Sequence, residues 1–383
     1  LGQSHIDLGW LWPLEETRHK SVRTYANQLA LMEEYPEYRF LLCEPALLDL
    51  LRKQDPEVWD RVRQAVREGK MTPEGAFYVE CDTNIPSGES LIRQVLTGKA
   101  WFREQLGVKT TVAWQPDTFG FSAALPQILK QAGIRYFATE KLLRADPETE
   151  RFPYQNFIWE GMDGSTVEAL SFFKANAPVS PALLQKRWDA ERSQRENIDT
   201  QLYTFGYGDG GGGADRDTLE MIRRVGDLEG VPRTRWGTLP EFFEETSRQA
   251  VRNRWTGELY LAWHRGTYSV QRRQKAAMRR AEEALRETEA LTARLSPKDR
   301  VPLRHPIREA WRTLLLNQFH DIAGGVGIAR VHQEATEALV RLTESLETLN
   351  GRLRQMAYPI QPGPGLVLVN PLNWDRSGWV ELP

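Results

Sequence analysis

The stretch Gly2-Gln-Ser-His5-Ile-Asp7-Leu-Gly-Trp10-Leu-Trp12-Pro13 opens the chain, and the reading of everything after it depends on how it is taken. On extended backbone, residues two apart project to the same side, so the His5 imidazole and the Asp7 carboxylate converge on one point. An imidazole beside a carboxylate is the first half of a site for a hard-to-borderline metal ion. The plainer alternative is a strand end whose His5 and Asp7 meet solvent while Trp10 and Trp12 pack as core aromatics. One His-x-Asp pair does not decide between them. Leu1-Gly2 reads as the tail of a strand whose start is missing.

Working outward, strand-like and helix-like runs alternate. Residues 15–35 carry Tyr25, Leu29 and Met32 at helical spacing, and Pro36 ends the run. Residues 39–43 read as a strand, 45–51 and 58–68 as helices, 77–79 as a strand and 82–88 as a turn. A helix over 90–106 closes at Gly107, a strand over 111–114 follows, and a helix over 125–132 ends at Gly133 before a strand at 136–139. A helix or excursion over 182–198, strand-like 202–205 and helices over 215–225 and 240–249 complete this half. The alternation implies parallel strands with helices outside, an α/β class in which residues 1–250 form a β/α barrel-like domain. Long helical patterns over 265–295, 307–316 and 328–353 then predict an all-α helical bundle in 251–355. Strand-like runs at 365–370 and 379–383 read as the start of a further sheet within 356–383. Both ends suggest a segment of a longer protein.

Of 383 residues, 27% are charged and 40% hydrophobic, with a net charge of -2. That balance offers no broad attraction to nucleic acid or to an anionic membrane. No apolar run approaches the ~20 residues of a membrane span. Two cysteines, Cys43 and Cys81, are too few for a disulfide framework and point to a reducing, cytoplasmic compartment. Paired charges such as Arg272-Arg273 and Glu282-Glu283 read as solvated helix faces.

His5, Asp7, Asp82, Asp117 and Asp209 all follow strand-like runs, and strand C-termini carry the chemistry in β/α folds. Asp117, in Pro116-Asp-Thr-Phe-Gly120, suits a nucleophile, a base, a metal ligand or a helix N-cap. Asp209 stands before Gly210–Gly213, a run that lets backbone approach a ligand or merely turns. No Gly-Lys-Ser/Thr follows, which argues against a phosphate loop. His320, in Asn317-Gln-Phe-His-Asp321, is a helix-end cap or the second nitrogen ligand beside His5. His264 reads as a pocket wall or a packed polar residue, and His19, His305 and His332 as surface residues.

Taken in order, Gly-x-x-His5-x-Asp7-x-x-Trp10-Leu-Trp-Pro, Asn84-Ile-Pro-Ser-Gly-Glu-Ser90, Pro-Asp117-x-Phe-Gly120, Gly-Tyr-Gly-Asp209-Gly-Gly-Gly-Gly213, Gly257-Glu-Leu-Tyr260, His264-Arg-Gly-Thr-Tyr268 and Asn-Gln-Phe-His320-Asp321 resemble glycoside hydrolase family 38, the class II α-mannosidases. The resemblance covers nearly the whole chain and is closest to the branch of cytosolic, vacuolar and bacterial enzymes. It implies a retaining, metal-dependent α-mannosidase that removes terminal mannose from glycans through a covalent glycosyl-enzyme. It implies one divalent ion, zinc in first place with cobalt as the alternative, held by His5, Asp7, Asp117 and His320. Asp117 would also be the nucleophile and Asp209 the general acid/base. Trp10 would pack under the sugar, with Phe119 and Lys141 beside the nucleophile, Asp321 on a sugar hydroxyl and His264 in the wall. Some family branches carry Arg where this chain has Lys141. The resemblance also implies C-terminal β-sandwich domains that begin within 356–383, and it leaves a homo-oligomer open. The rival enzyme reading is a polysaccharide deacetylase-like metal site, which needs no second carboxylate such as Asp209. The non-enzymatic rival is an inactive sugar-binding module.

Overall fold

The computed structural model describes residues 1–143, 152–173, 176–190, 198–249, 251–359, 368–370, 372 and 374–379. It is a mixed α/β structure. Its strands are β1 (Phe40–Leu42), β2 (Met71–Pro73), β3 (Val112–Trp114), β4 (Tyr136–Thr139), β5 (Asn156–Glu160), β6 (Thr166–Ser171) and β7 (Arg254–Thr256). β1 and β2 pair in parallel, and a five-stranded sheet runs β3-β4-β6-β5-β7. Within it only β5 and β6 pair antiparallel.

Isolated parallel bridges extend these ladders. Gly2 bridges to both Phe40 and Phe205, Gly75 to Ala113, and Ala177 to Phe205. The opening segment therefore lies between β1 and residue 205, with helices packed outside. The helix Leu14–Glu34 buries Tyr25, Leu29 and Met32, the three residues whose spacing predicts it. Helix Pro56–Arg67 starts on the Asp55 cap, and Gly88–Leu106 on the Ser87 cap with Gly107 left-handed at its end.

Two expected strands do not form. Residues 77–79 are not a strand: Gly75 and Ala76 have φ of 121° and 60°, which turns the chain away after β2. Helix Gly88–Leu106 fits against this turn because Gly98 has no side chain; a Cβ there would lie 2.1 Å from the Ala76 carbonyl oxygen. Residues 202–205 contribute bridges at Phe205 and no strand. Strand β2, the hairpin β5–β6 and strand β7 have no counterpart among the expected strands.

The second half is helical. Helices Arg272–Ala293 and Ala329–Ala357 pack along each other, with Asn350 accepting from the buried Thr288 hydroxyl at 2.7 Å and donating to Ala284 O at 3.1 Å. The first of these starts at 272 rather than 265, because residues 262–268 wind as a 3-10 turn. Glu282 is not on a solvated face. It is 1% exposed and accepts from Ser87 N, Ser90 Oγ and Gln318 Nε2, tying this helix to Gly88–Leu106. His332 is likewise buried, bonded to Gln274 and to Gly327 O, whereas His19 and His305 are exposed. No helix among the described residues is long and apolar enough to cross a membrane. The strand-like runs at 365–370 and 379–383, and with them the expected β-sandwich, fall largely outside the described residues.

Candidate active site

The opening segment is fixed by backbone pairing. Gly2 N donates to Arg39 O, Gln3 N to Phe205 O, and Asp7 N to Asp209 O, all at 2.9–3.0 Å. Extended through Ile6, it turns His5 and Asp7 to one side, with His5 Nε2 2.8 Å from Asp7 Oδ1. Asp117 and Lys141 reach the same place by register. β3 and β4 align Trp114 with Ala138, so Asp117 and Lys141 each stand three residues further on. Lys141 Nζ lies 2.5 Å from Asp117 Oδ1.

His320 comes from 203 residues beyond Asp117 by a short antiparallel pairing. Cys81 bridges Phe319, Asp82 N donates to Gln318 O at 3.0 Å, and His320 N donates to Glu80 O at 3.1 Å. Its ring stacks near that of His5, with centroids 5.5 Å apart. Nε2 lies 3.5 Å from Asp7 Oδ1 and 3.6 Å from Asp117 Oδ2, yet it is buried and has no hydrogen-bond partner among the described residues. An orphaned, buried imidazole nitrogen facing two carboxylates is what a metal-ligating atom looks like before its ion is added. His5, Asp117 and His320 present ligand atoms within 4.8 Å of one another, as do His5, Asp7 and Asp209, and Asp7, His320 and Asp321. The donor set fits one divalent cation.

The electrostatics carry the same demand for positive charge. Burial pushes both imidazoles down, but carboxylates more than reverse it. Asp7 and Glu80 hold His5 well above its ordinary value, and Asp321, Asp7, Glu80 and Asp117 raise His320 to about 10. Asp117 and Asp209 are driven apart. Burial would raise Asp117, but Lys141, His5 and His320 hold it low. Burial raises Asp209, and the charges of Asp7 and Asp117 add to the rise against His5 and Lys141.

Residues 1–266 match the glycosyl hydrolases family 38 N-terminal domain, and residues 262–356 match the alpha mannosidase middle domain. The chain belongs to glycosyl hydrolase family 38. It is 34% identical over 391 residues to alpha-mannosidase 2C1 of Homo sapiens, which covers all of this chain and 37% of that protein. It is 33% identical over 395 residues to an alpha-mannosidase of Saccharomyces cerevisiae, covering 98% of this chain and 36% of that one. The chain thus spans little more than a third of these relatives. A solved alpha-mannosidase from Enterococcus faecalis shares the fold, with a TM-score of 0.78 at 22% identity over 93% of this chain and 42% of its own.

In this family 38 chain Phe119 and Asp321 lie against the same cluster, and His264 lies against Phe119. Phe119 packs edge-on to His320 at 5.3 Å and against His264 at 4.3 Å, so His264 lies behind Phe119. Asp321 Oδ2 is 3.9 Å from His320 Nε2 and buried; its carboxyl is raised well above the usual range by burial and by Asp7 and Asp117, against the pull of His320. Trp10 is half-buried, with its ring 5.8 Å from Trp12. Asp82 is the exception. Its Oδ1 accepts from Asn84 N and Ile85 N at 2.8 Å each, so it makes the turn after residue 81.

The Gly210–Gly213 run does not hang loose. It lies on helix Leu14–Glu34, where Gly212 N donates to Thr24 Oγ1 at 2.9 Å and Gln28 bonds Gly212 O and Ala214 O at 2.7 and 3.1 Å. Gly213, at φ 68°, would place a Cβ 2.5 Å from Gln28 Cδ. Glu80 escaped the sequence reading altogether. It is buried against His5, with Oε2 3.2 Å from Nδ1. The available signal was its place two residues before Asp82, on the segment thought to end in chemistry.

Proposed function

We propose that this chain carries the catalytic centre of a retaining, metal-dependent α-mannosidase. The observation that carries the reading is the convergence of His5, Asp7, Asp117 and His320, drawn from three distant segments, on one buried point beside a second carboxylate, Asp209. The ion, with zinc first and cobalt second, would hold adjacent sugar hydroxyls and favour ionised Asp117. Asp117, kept low by Lys141, attacks the anomeric carbon. Asp209, kept high, gives its proton to the departing glycosidic oxygen. Asp209 then takes a proton from water, which displaces Asp117 and releases mannose. Trp10, Phe119, His264 and Asp321 form the pocket around that sugar.

The substrate is a terminal α-mannoside of a glycan, in keeping with its alpha-mannosidase relatives. We read residues 1–250 as the catalytic domain, with the parallel bridges at Gly2, Gly75, Ala177 and Phe205 closing its strands into a barrel-like ring, and 251–355 as the helical bundle. The test is hydrolysis of a nitrophenyl α-mannoside by the intact protein. Activity should vanish with chelator and return with zinc. The first product, followed by NMR, should be α-mannose. Asp117→Ala should be inert, and Asp209→Ala should be partly rescued by azide, giving an α-glycosyl azide. A β first product would overturn the mechanism, and activity indifferent to chelation would remove the ion.

A further inference from the structure

We infer that Glu80 is the positioning residue that sets the ring tautomers of His5 and His320 and the seat of Asp117. The inference rests on the proposed ligand set. Glu80 is 2% exposed and touches three of the four ligands. Its Oε1 accepts from the backbone N–H of Asp117 and, at 3.1 Å, from that of Thr118. Its Oε2 lies 3.2 Å from His5 Nδ1. Its own carbonyl accepts from His320 Nδ1 at 2.9 Å and from His320 N at 3.1 Å. The residue is itself anchored, with its N–H donating to Glu44 Oε1 at 2.8 Å.

With an ion on Nε2 an imidazole keeps its one proton on Nδ1, and an acceptor facing Nδ1 favours that tautomer. Glu80 imposes this twice, once with a carboxylate and once with a carbonyl. Both Nε2 atoms consequently point inward, His5 Nε2 at Asp7 and His320 Nε2 at the gap between Asp7 and Asp117. The bond to Asp117 N then holds the third ligand at the level of the two rings. Filling space alone would not call for this residue, since a buried carboxylate is costly unless its lone pairs are used. The described contacts of its carboxylate all bear on a ligand or on the turn beside one.

Glu80→Gln separates these roles. The amide oxygen can keep the bonds to Asp117 and Thr118, but the NH2 group then faces His5 Nδ1 and turns that atom into an acceptor. The ring proton moves to Nε2, where the ion should bind. In the intact protein, zinc affinity measured by competition with a chromogenic chelator should fall about ten- to a hundredfold. In ¹⁵N-histidine NMR of zinc-loaded wild type, both rings should carry a hydrogen-bonded Nδ1 proton. Glu80→Gln should lose the His5 signal and keep that of His320. The wild-type spectrum needs no variant, so a Glu80→Gln protein that fails to fold leaves the inference testable. Wild-type rings protonated at Nε2, or Glu80→Gln binding zinc as wild type does, would overturn it. His5→Ala separates the two levels. If it leaves zinc affinity unchanged, the ligand set itself is wrong. If it lowers affinity while Glu80→Gln does not, only the role of Glu80 falls.

Discussion

Gln28→Ala should unfasten the loop that carries Asp209. Gln28 is fully buried on helix Leu14–Glu34. Its Oε1 accepts from Tyr38 Oη at 2.6 Å and Ala214 N at 3.2 Å, and its Nε2 donates to Gly212 O and Ala214 O at 2.7 and 3.1 Å. Truncation strands four buried polar groups, at about 1–3 kcal/mol for each left unpaired. Water entering the vacated space re-pairs some of them, so a loss of roughly 3–5 kcal/mol is expected. That is large against a domain stability of about 5–15 kcal/mol, and the urea midpoint should drop clearly. The functional effect has a signature. Tyr207 and Gly213 pair across the loop, with Asp209 between them at φ 59°. Releasing 212–214 frees the residue proposed as general acid, and acid assistance matters most for poor leaving groups. Aryl α-mannosides of graded leaving-group pKa, assayed where the variant stays folded, should show a steeper dependence than wild type. Lower stability with an unchanged dependence would refute the link between loop and acid. Unchanged stability would refute the bonding argument itself.

Burial raises the Glu74 carboxyl to about 7 from an ordinary 4.5, against its bonds from Val112 N and Thr111 N. The folded state therefore holds this proton more tightly, and its contribution to stability is full below pH 4.5 and lost as pH rises through 7. Glu74→Gln should flatten that fall in urea midpoints measured across the window, and an identical slope would sink the assignment. Glu282→Ala strips partners from Ser87, Ser90 and Gln318 and should cost about 3–5 kcal/mol in denaturant melts, with Glu282→Gln costing less. Gly98→Ala forces helix Gly88–Leu106 off the Ala76 carbonyl and should cost about 1–3 kcal/mol, against a small gain if the contact yields freely.

The parts of the fold legible in the sequence are those whose period is unobstructed. Tyr25, Leu29 and Met32 mark their helix, and Gly107 and Gly133 mark two ends. Residues 77–79 show the limit. An apolar triplet looks like a strand whether or not the two residues before it turn the chain, and Ala76 at φ 60° carries no sign of its conformation. Glu282 shows another. Beside Glu283 it looks solvated, and only the arrival of helix Gly88–Leu106 with its cap and of Gln318 gives it three donors.

The candidate site was legible as a set of residues and illegible as a mechanism of assembly. His5 and Asp7 sit in one short motif, but nothing local says that residues 80–82 will pair with 318–320. That pairing delivers His320, and it does so through the carbonyl of the same residue whose carboxylate faces His5. The glycine run follows the same logic. A string of glycines invites a ligand or a loose turn as its explanation, because both need bare backbone. Here the bare backbone is met by Thr24 and Gln28, side chains nearly 190 residues away, and the freedom of glycine is spent on order rather than motion. The consequence falls on Asp209, whose carbonyl accepts from Asp7 N, so that the residue proposed as acid is tied by its own backbone to a proposed metal ligand.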